Sequence, residues 1–71
     1  MIVMEQKLFD EQIAKVVDAL VASGYDPMDQ LTGYIQTDDD TFITRTGNAR
    51  SIIRTLAKEQ IIAYVEKNKP M

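Results

Sequence analysis

Apolar residues recurring at three- and four-residue spacing confine most of this chain to helix. Phe9, Ile13, Val16, Val17, Leu20 and Val21 fall in one stripe, because 3.6 residues per turn bring such positions onto a common face. No segment alternates apolar and polar residues long enough to make a strand. Asp10 is placed to cap this first helix and Gly24 to end it in a left-handed conformation. Ile2, Val3, Met4 and Leu8 lie ahead of it, so residues 1–8 are expected to form a terminal arm.

The stretch GYDPMDQLTGYI starts a second helix. Asp26 can accept from the free amides of the first turn, and Pro27 occupies the first helical position, where its missing amide costs nothing. Asp29 adds negative charge at the same positive helix end. Met28, Leu31, Tyr34 and Ile35 form the apolar stripe, which runs to about Thr37. Gly33 inside it costs up to ~1 kcal/mol relative to alanine, and is read as permitting close approach of another backbone. The turn Asp38-Asp39-Asp40 lacks the alternating ligands of a calcium loop. Counting from Asp38, Ile43 and Ala49 stand where that loop needs glycine and glutamate.

Phe42 and Ile43 bring apolar groups in before TRTGN, and Asn48, or Thr46 before it, can cap a helix from about Ala49. Ile52, Ile53 and Leu56 make one buried face, followed by Ile61, Ile62 and Val65. At about 100° per residue the second cluster points nearly opposite to the first. Either the chain bends near Ala57–Gln60 or one long helix is sandwiched between two partners. The bend is favoured, although no glycine or proline marks it. The expected architecture is all-α: a single domain over residues 1–71, a compact bundle of three or four short helices completed by homodimerisation, with residues 67–71 as a tail carrying cations at the helix end.

The absence of both cysteine and histidine from 71 residues excludes disulfides, thiolate metal sites and the commonest general base. An enzyme made from what remains would need carboxylates, lysine or tyrosine in a cleft, and a domain this small has little room for one. Neither a catalytic residue, a cofactor site nor a metal site is therefore expected. No apolar run reaches the ~20 residues that span a bilayer, and MIVMEQKLFDEQ has no signal-peptide pattern. Together these features lead to the expectation of a cytoplasmic protein without membrane insertion. Charge is divided unevenly. Residues 1–40 carry nine acids against two lysines, a balance of −7, and residues 41–71 carry six cations against two acids, a balance of +4. The two halves either present differing solvated faces or attract each other, within a chain or across a dimer.

With these residues in view, the chain resembles the IreB-like family of small regulatory phosphoproteins. Gly24, Tyr25, Pro27, Gln30, Gly33 and Tyr34 match the family's first motif, which reads Gly-Tyr-Asn-Pro-x-Asn-Gln-x-x-Gly-Tyr. After a turn, Ala49, Arg50, Ser51, Ile52, Ile53 and Arg54 match the second. The resemblance covers roughly residues 13–66. It implies a cytoplasmic, non-enzymatic, helical homodimer from Gram-positive bacteria, a target of a membrane Ser/Thr protein kinase in cell-envelope stress signalling. Asp26 and Asp29 stand where members carry asparagine, and Asp38–Asp40 where they more often carry Ser-Gly-Asp-Pro. The family's phosphoacceptors are expected in the amino-terminal arm, which here has no serine or threonine before Ser23. Thr37, Thr41, Thr44 and Thr46 become the candidate acceptors.

The candidate interface residues are Tyr25, Gln30, Gly33 and Tyr34 with Arg45, Arg50 and Arg54. Tyrosines give large contact area with few rotors to freeze. Arg50 and Arg54 share one helix face, with Lys58 next if the helix continues, and such a stripe could meet a partner's acids or a phosphate. The plain alternative makes the tyrosines ordinary core and the arginines a solvated face. The competing functional reading is a helix-turn-helix-like nucleic-acid-binding module with TRTGNARSIIR at the recognition helix. A net charge of −3 and the lack of aromatic interleaving count against it.

Overall fold

The computed structural model describes residues 5–68, all-α throughout. Four helices follow one another: α1 (Gln6–Ala22), α2 (Pro27–Thr37), α3 (Ala49–Arg54) and α4 (Lys58–Asn68), with short 3-10 turns at Asp40–Phe42 and Thr46–Asn48. Helix α1 packs chiefly against α3 and α2 chiefly against α4. Residues 1–4 and 69–71 lie outside the described residues, and with them half of the expected arm and the end of the expected tail; Gln6–Leu8, expected in the arm, belong to α1, and Lys67 and Asn68 to α4.

The first helix starts a turn earlier than its cap signal suggested. Its leading residue is Glu5, whose side chain caps nothing, and the helix is held instead by Phe9 N–H to Glu5 O at 2.8 Å. Asp10 lies inside the helix, where its carboxylate accepts from Gln6 Nε2 at 2.7 Å. Burial of Phe9 makes this turn worth forming, since enclosing such a side chain stabilises by about 1.5–3 kcal/mol. At the other end, Gly24 N–H bonds Val21 O at 3.0 Å and Tyr25 N–H bonds Leu20 O at 2.9 Å. These are the paired bonds of a Schellman stop, with Gly24 at φ +86°.

Local chemistry sets α2 as expected. The Asp26 carboxylate accepts from the amides of Met28 (3.0 Å) and Asp29 (3.3 Å) ahead of Pro27. At its far end Asp38 takes a left-handed conformation and donates its N–H to Tyr34 O at 2.8 Å. An aspartate at the negative end of a helix is unfavourable, and Lys58, ion-paired to it, offsets the charge.

The core is built from Phe9, Ile13, Val16, Leu20, Leu31, Tyr34, Ile43, Ala49, Ile53, Leu56, Ile61 and Val65. It draws on every helix and on the connection between α2 and α3. The chain does bend after Leu56. Thr55 closes α3 with its N–H (2.9 Å) and hydroxyl (2.7 Å) both on Ile52 O, and Ala57 O receives the first bonds of α4. Both apolar clusters thereby face the same interior, with Ile62 left 39% exposed. Neither Asn48 nor Thr46 caps α3 with its side chain. Gly47 and Asn48 both turn through left-handed backbone, at φ +59° and +61°, and Thr46 faces other hydroxyls.

Candidate functional site

The segment Asp38–Asn48 decides where the polar side chains end up. Ile43, fully buried, anchors it. Phe42 lies against Gly33: a Cβ built on that glycine would stand 2.6 Å from two ring carbons. The close approach expected at Gly33 is therefore by an aromatic ring, not by another backbone. Gln30 Nε2 donates to Phe42 O at 2.8 Å, so two residues of one α2 face hold Phe42 by backbone and ring together. Tyr34 is buried beneath Lys58, whose Nζ lies 5.4 Å from the ring centroid. Gln30, Gly33 and Tyr34 thus serve packing within the protomer. Tyr25 differs, standing 51% exposed at the α1–α2 corner.

The three aspartates of the turn are not gathered toward a common point. Asp38 pairs with Lys58, and Asp40 pairs with Arg54 at 2.5 Å. Asp39 accepts from the N–H (3.0 Å) and hydroxyl (2.7 Å) of Thr41. Those two bonds hold its carboxyl below the usual range, with a smaller contribution from the Arg50 charge. Acidic and basic halves of the sequence therefore meet within one chain here. Because the helix breaks after Arg54, Lys58 does not extend the Arg50–Arg54 face.

Arg45 comes from the turn and joins the two arginines of α3. A cleft of about 360 Å³ is lined by Arg45, Asn48, Arg50, Ser51 and Arg54. Arg50 Nε donates to Ile43 O at 3.0 Å, which fixes its guanidinium. Arg45 is exposed, with no ion-pair partner among the described residues. Helix α3 itself is six residues long, about 9 Å at 1.5 Å per residue, which gives a recognition helix little length to lie along a groove.

The candidate phosphoacceptors divide into two pairs. Thr37 donates its hydroxyl to Gly33 O at 2.7 Å and Thr41 donates to Asp39, so both lie beside the acidic turn. Thr44 and Thr46 instead form a triangle with Ser23, each hydroxyl oxygen within 3.3 Å of the other two. The participation of Ser23, more than twenty residues away, carried no signal in the sequence. A separate hollow of about 630 Å³ runs between α1 and α4, lined in part by Phe9, Ile13, Ala63 and Tyr64. Phe9 and Tyr64 meet edge to face at 6.3 Å. Burial chiefly, with the charges of Asp10 and Asp18, raises the Tyr64 phenol above its ordinary value. No helix among the described residues is long and apolar enough to cross a membrane.

Comparison with known proteins supplies the family. A UPF0297 protein of Ruminiclostridium cellulolyticum is 42% identical over 57 residues, covering 80% of this chain and 65% of the relative. The chain thus spans slightly less than two thirds of that relative's length. The sequence model described as IreB regulatory phosphoprotein matches residues 2–68, which takes in both motifs, the acidic turn and all four helices. This chain belongs to the IreB regulatory phosphoprotein family.

Proposed function

We propose that this protein is a non-enzymatic cytoplasmic regulator that acts as a homodimer downstream of a Ser/Thr protein kinase in cell-envelope stress signalling. The observation that carries the reading is the family match over residues 2–68. Arg45, which lies between them in sequence, favours Thr44 and Thr46 as acceptors, whose hydroxyls would leave their bonds with Ser23 and each other. A phosphate there adds a charge of about −1.5 to −2 next to Arg45 in sequence, whereas at Thr37 or Thr41 it meets Asp38–Asp40 at close quarters. Thr46 is exposed and Thr44 half-buried, which favours Thr46. Exposed Leu8, Val21, Tyr25 and Ile62 offer apolar surface for a second copy, in keeping with the small core that a chain of this size can build.

Intact-mass measurement after incubation with the host's envelope-sensing kinase domain and ATP tests the signalling role. One added phosphate is expected, mapped to Thr46 or Thr44 and lost in T46A or T44A accordingly. No added phosphate, beside a control substrate that is modified, would remove the kinase link. Sedimentation at micromolar concentration tests the dimer separately, and a monomer there would refute it.

A further inference from the structure

We propose that the cleft between Arg45, Arg50 and Arg54 is a binding site for a phosphate monoester dianion, the group carried by a phosphoserine or phosphothreonine of another protein. Three guanidinium groups line about 360 Å³ together with Ser51 and Asn48, and no carboxylate is among the lining residues. The arginines differ in how they are held. Arg50 is fixed by its Nε bond to Ile43 O, and Arg54 by Asp40. Arg45 is exposed and unpaired among the described residues. Two preset guanidiniums and one free to close on a ligand give an arrangement that needs little ordering on binding.

Charge sets the ligand class. Asp40 neutralises one of the three cations directly, and the charge of Asp39 interacts with Arg50 and offsets part of a second. The cleft is left with a surplus of one to two positive charges, matching a phosphate monoester at about −1.5 to −2 near neutral pH. Guanidinium forks suit phosphate oxygens, and Ser51 and Asn48 can supply neutral donors to the rest. A single carboxylate would use one fork and leave the others unmatched. An extended phosphodiester strand would gain little, because the flanking acidic turn and the net charge of −3 oppose a polyanion. The site requires no phosphorylation of this chain and so stands apart from the kinase reading above.

The test uses the unphosphorylated full chain, titrated with inorganic phosphate, a phosphothreonine peptide, the same peptide unmodified, and a short DNA duplex. Binding is followed by NMR on the arginine Nε–H groups and the Ser51 amide. The phosphopeptide and inorganic phosphate should shift the Arg45, Arg50, Arg54 and Ser51 signals, the peptide at lower concentration. R45A should weaken phosphopeptide binding about tenfold, equivalent to about 1.4 kcal/mol, with the amide spectrum elsewhere unchanged. R50K, which keeps the charge but loses the fork, should also weaken it, and K67A should not. Equal shifts from the unmodified peptide, tighter binding of the duplex at these residues, or no shift with either phosphate probe would each overturn the assignment. Shifts from inorganic phosphate without preference for the phosphopeptide would reduce the site to an adventitious ion only.

Discussion

Replacing Gly33 by alanine sets two effects of known sign against each other. A Cβ at this position would lie 2.6 Å from Phe42 Cδ1 and Cε1 and 3.1 Å from Cγ. Carbon atoms rest at about 3.5–4.0 Å, so the ring edge must retreat by roughly 1 Å. Rotation about the ring axis can swing Cδ1 and Cε1 away but leaves Cγ, which lies on that axis, at 3.1 Å, still closer than an ordinary carbon contact. The backbone cannot easily follow either, since Phe42 O is bonded to Gln30 and Phe42 N–H to Asp39 O, with buried Ile43 next along the chain. Overpacking of this kind costs about 1–3 kcal/mol, against a helix-propensity gain of up to ~1 kcal/mol. G33A should therefore destabilise by about 1 kcal/mol, within about 0–3 kcal/mol. In an F42L background, with the ring removed, the same change should stabilise by up to ~1 kcal/mol. Urea unfolding followed by far-UV circular dichroism, at one fixed protein concentration, reads all four members of the cycle. Equal stabilisation by alanine in both backgrounds would refute the idea that α2 and Phe42 are locked together.

Two further outcomes follow from local features. D26A should cost about 1 kcal/mol by leaving the Met28 and Asp29 amides unmet, while D26N should keep most of that, and urea midpoints distinguish them. Tyr64 should deprotonate at higher pH than an ordinary tyrosine in an NMR titration. D10N with D18N should lower its midpoint only in part, because burial is the larger cause. Since its folded-state pKa is raised, its contribution to stability is fully present below the unfolded-state pKa and is lost as pH rises through the folded one.

What could be read from the sequence was what depends on neighbours along the chain. Asp26-Pro27 and Gly24 set the limits of α1 and α2 through capping groups a few residues away, and these positions hold in the structure. Helical phase put the two isoleucine clusters on opposite faces, which left a bend or a sandwiched long helix, and the structure takes the favoured bend after Leu56. The start of α1 was not legible, because no side chain caps it and Asp10 offered a false cap. The site divides the same way. Arg50 and Arg54 could be paired by helical spacing, whereas Arg45 joins them only through the left-handed turn at Gly47 and Asn48. Likewise Gly33 announced a close approach, but the occupant depended on a connection whose path no local pattern sets.

The pairing of α1 with α3 and α2 with α4 means that helices adjacent in sequence are not each other's principal partners. A cut anywhere in the connection at 38–45 leaves two fragments, each holding one member of both main packed pairs and neither a complete core. Among the described residues, neither fragment keeps a main packed pair of helices to itself. A nick in this connection therefore bears on the stability of the whole fold and releases no folded half.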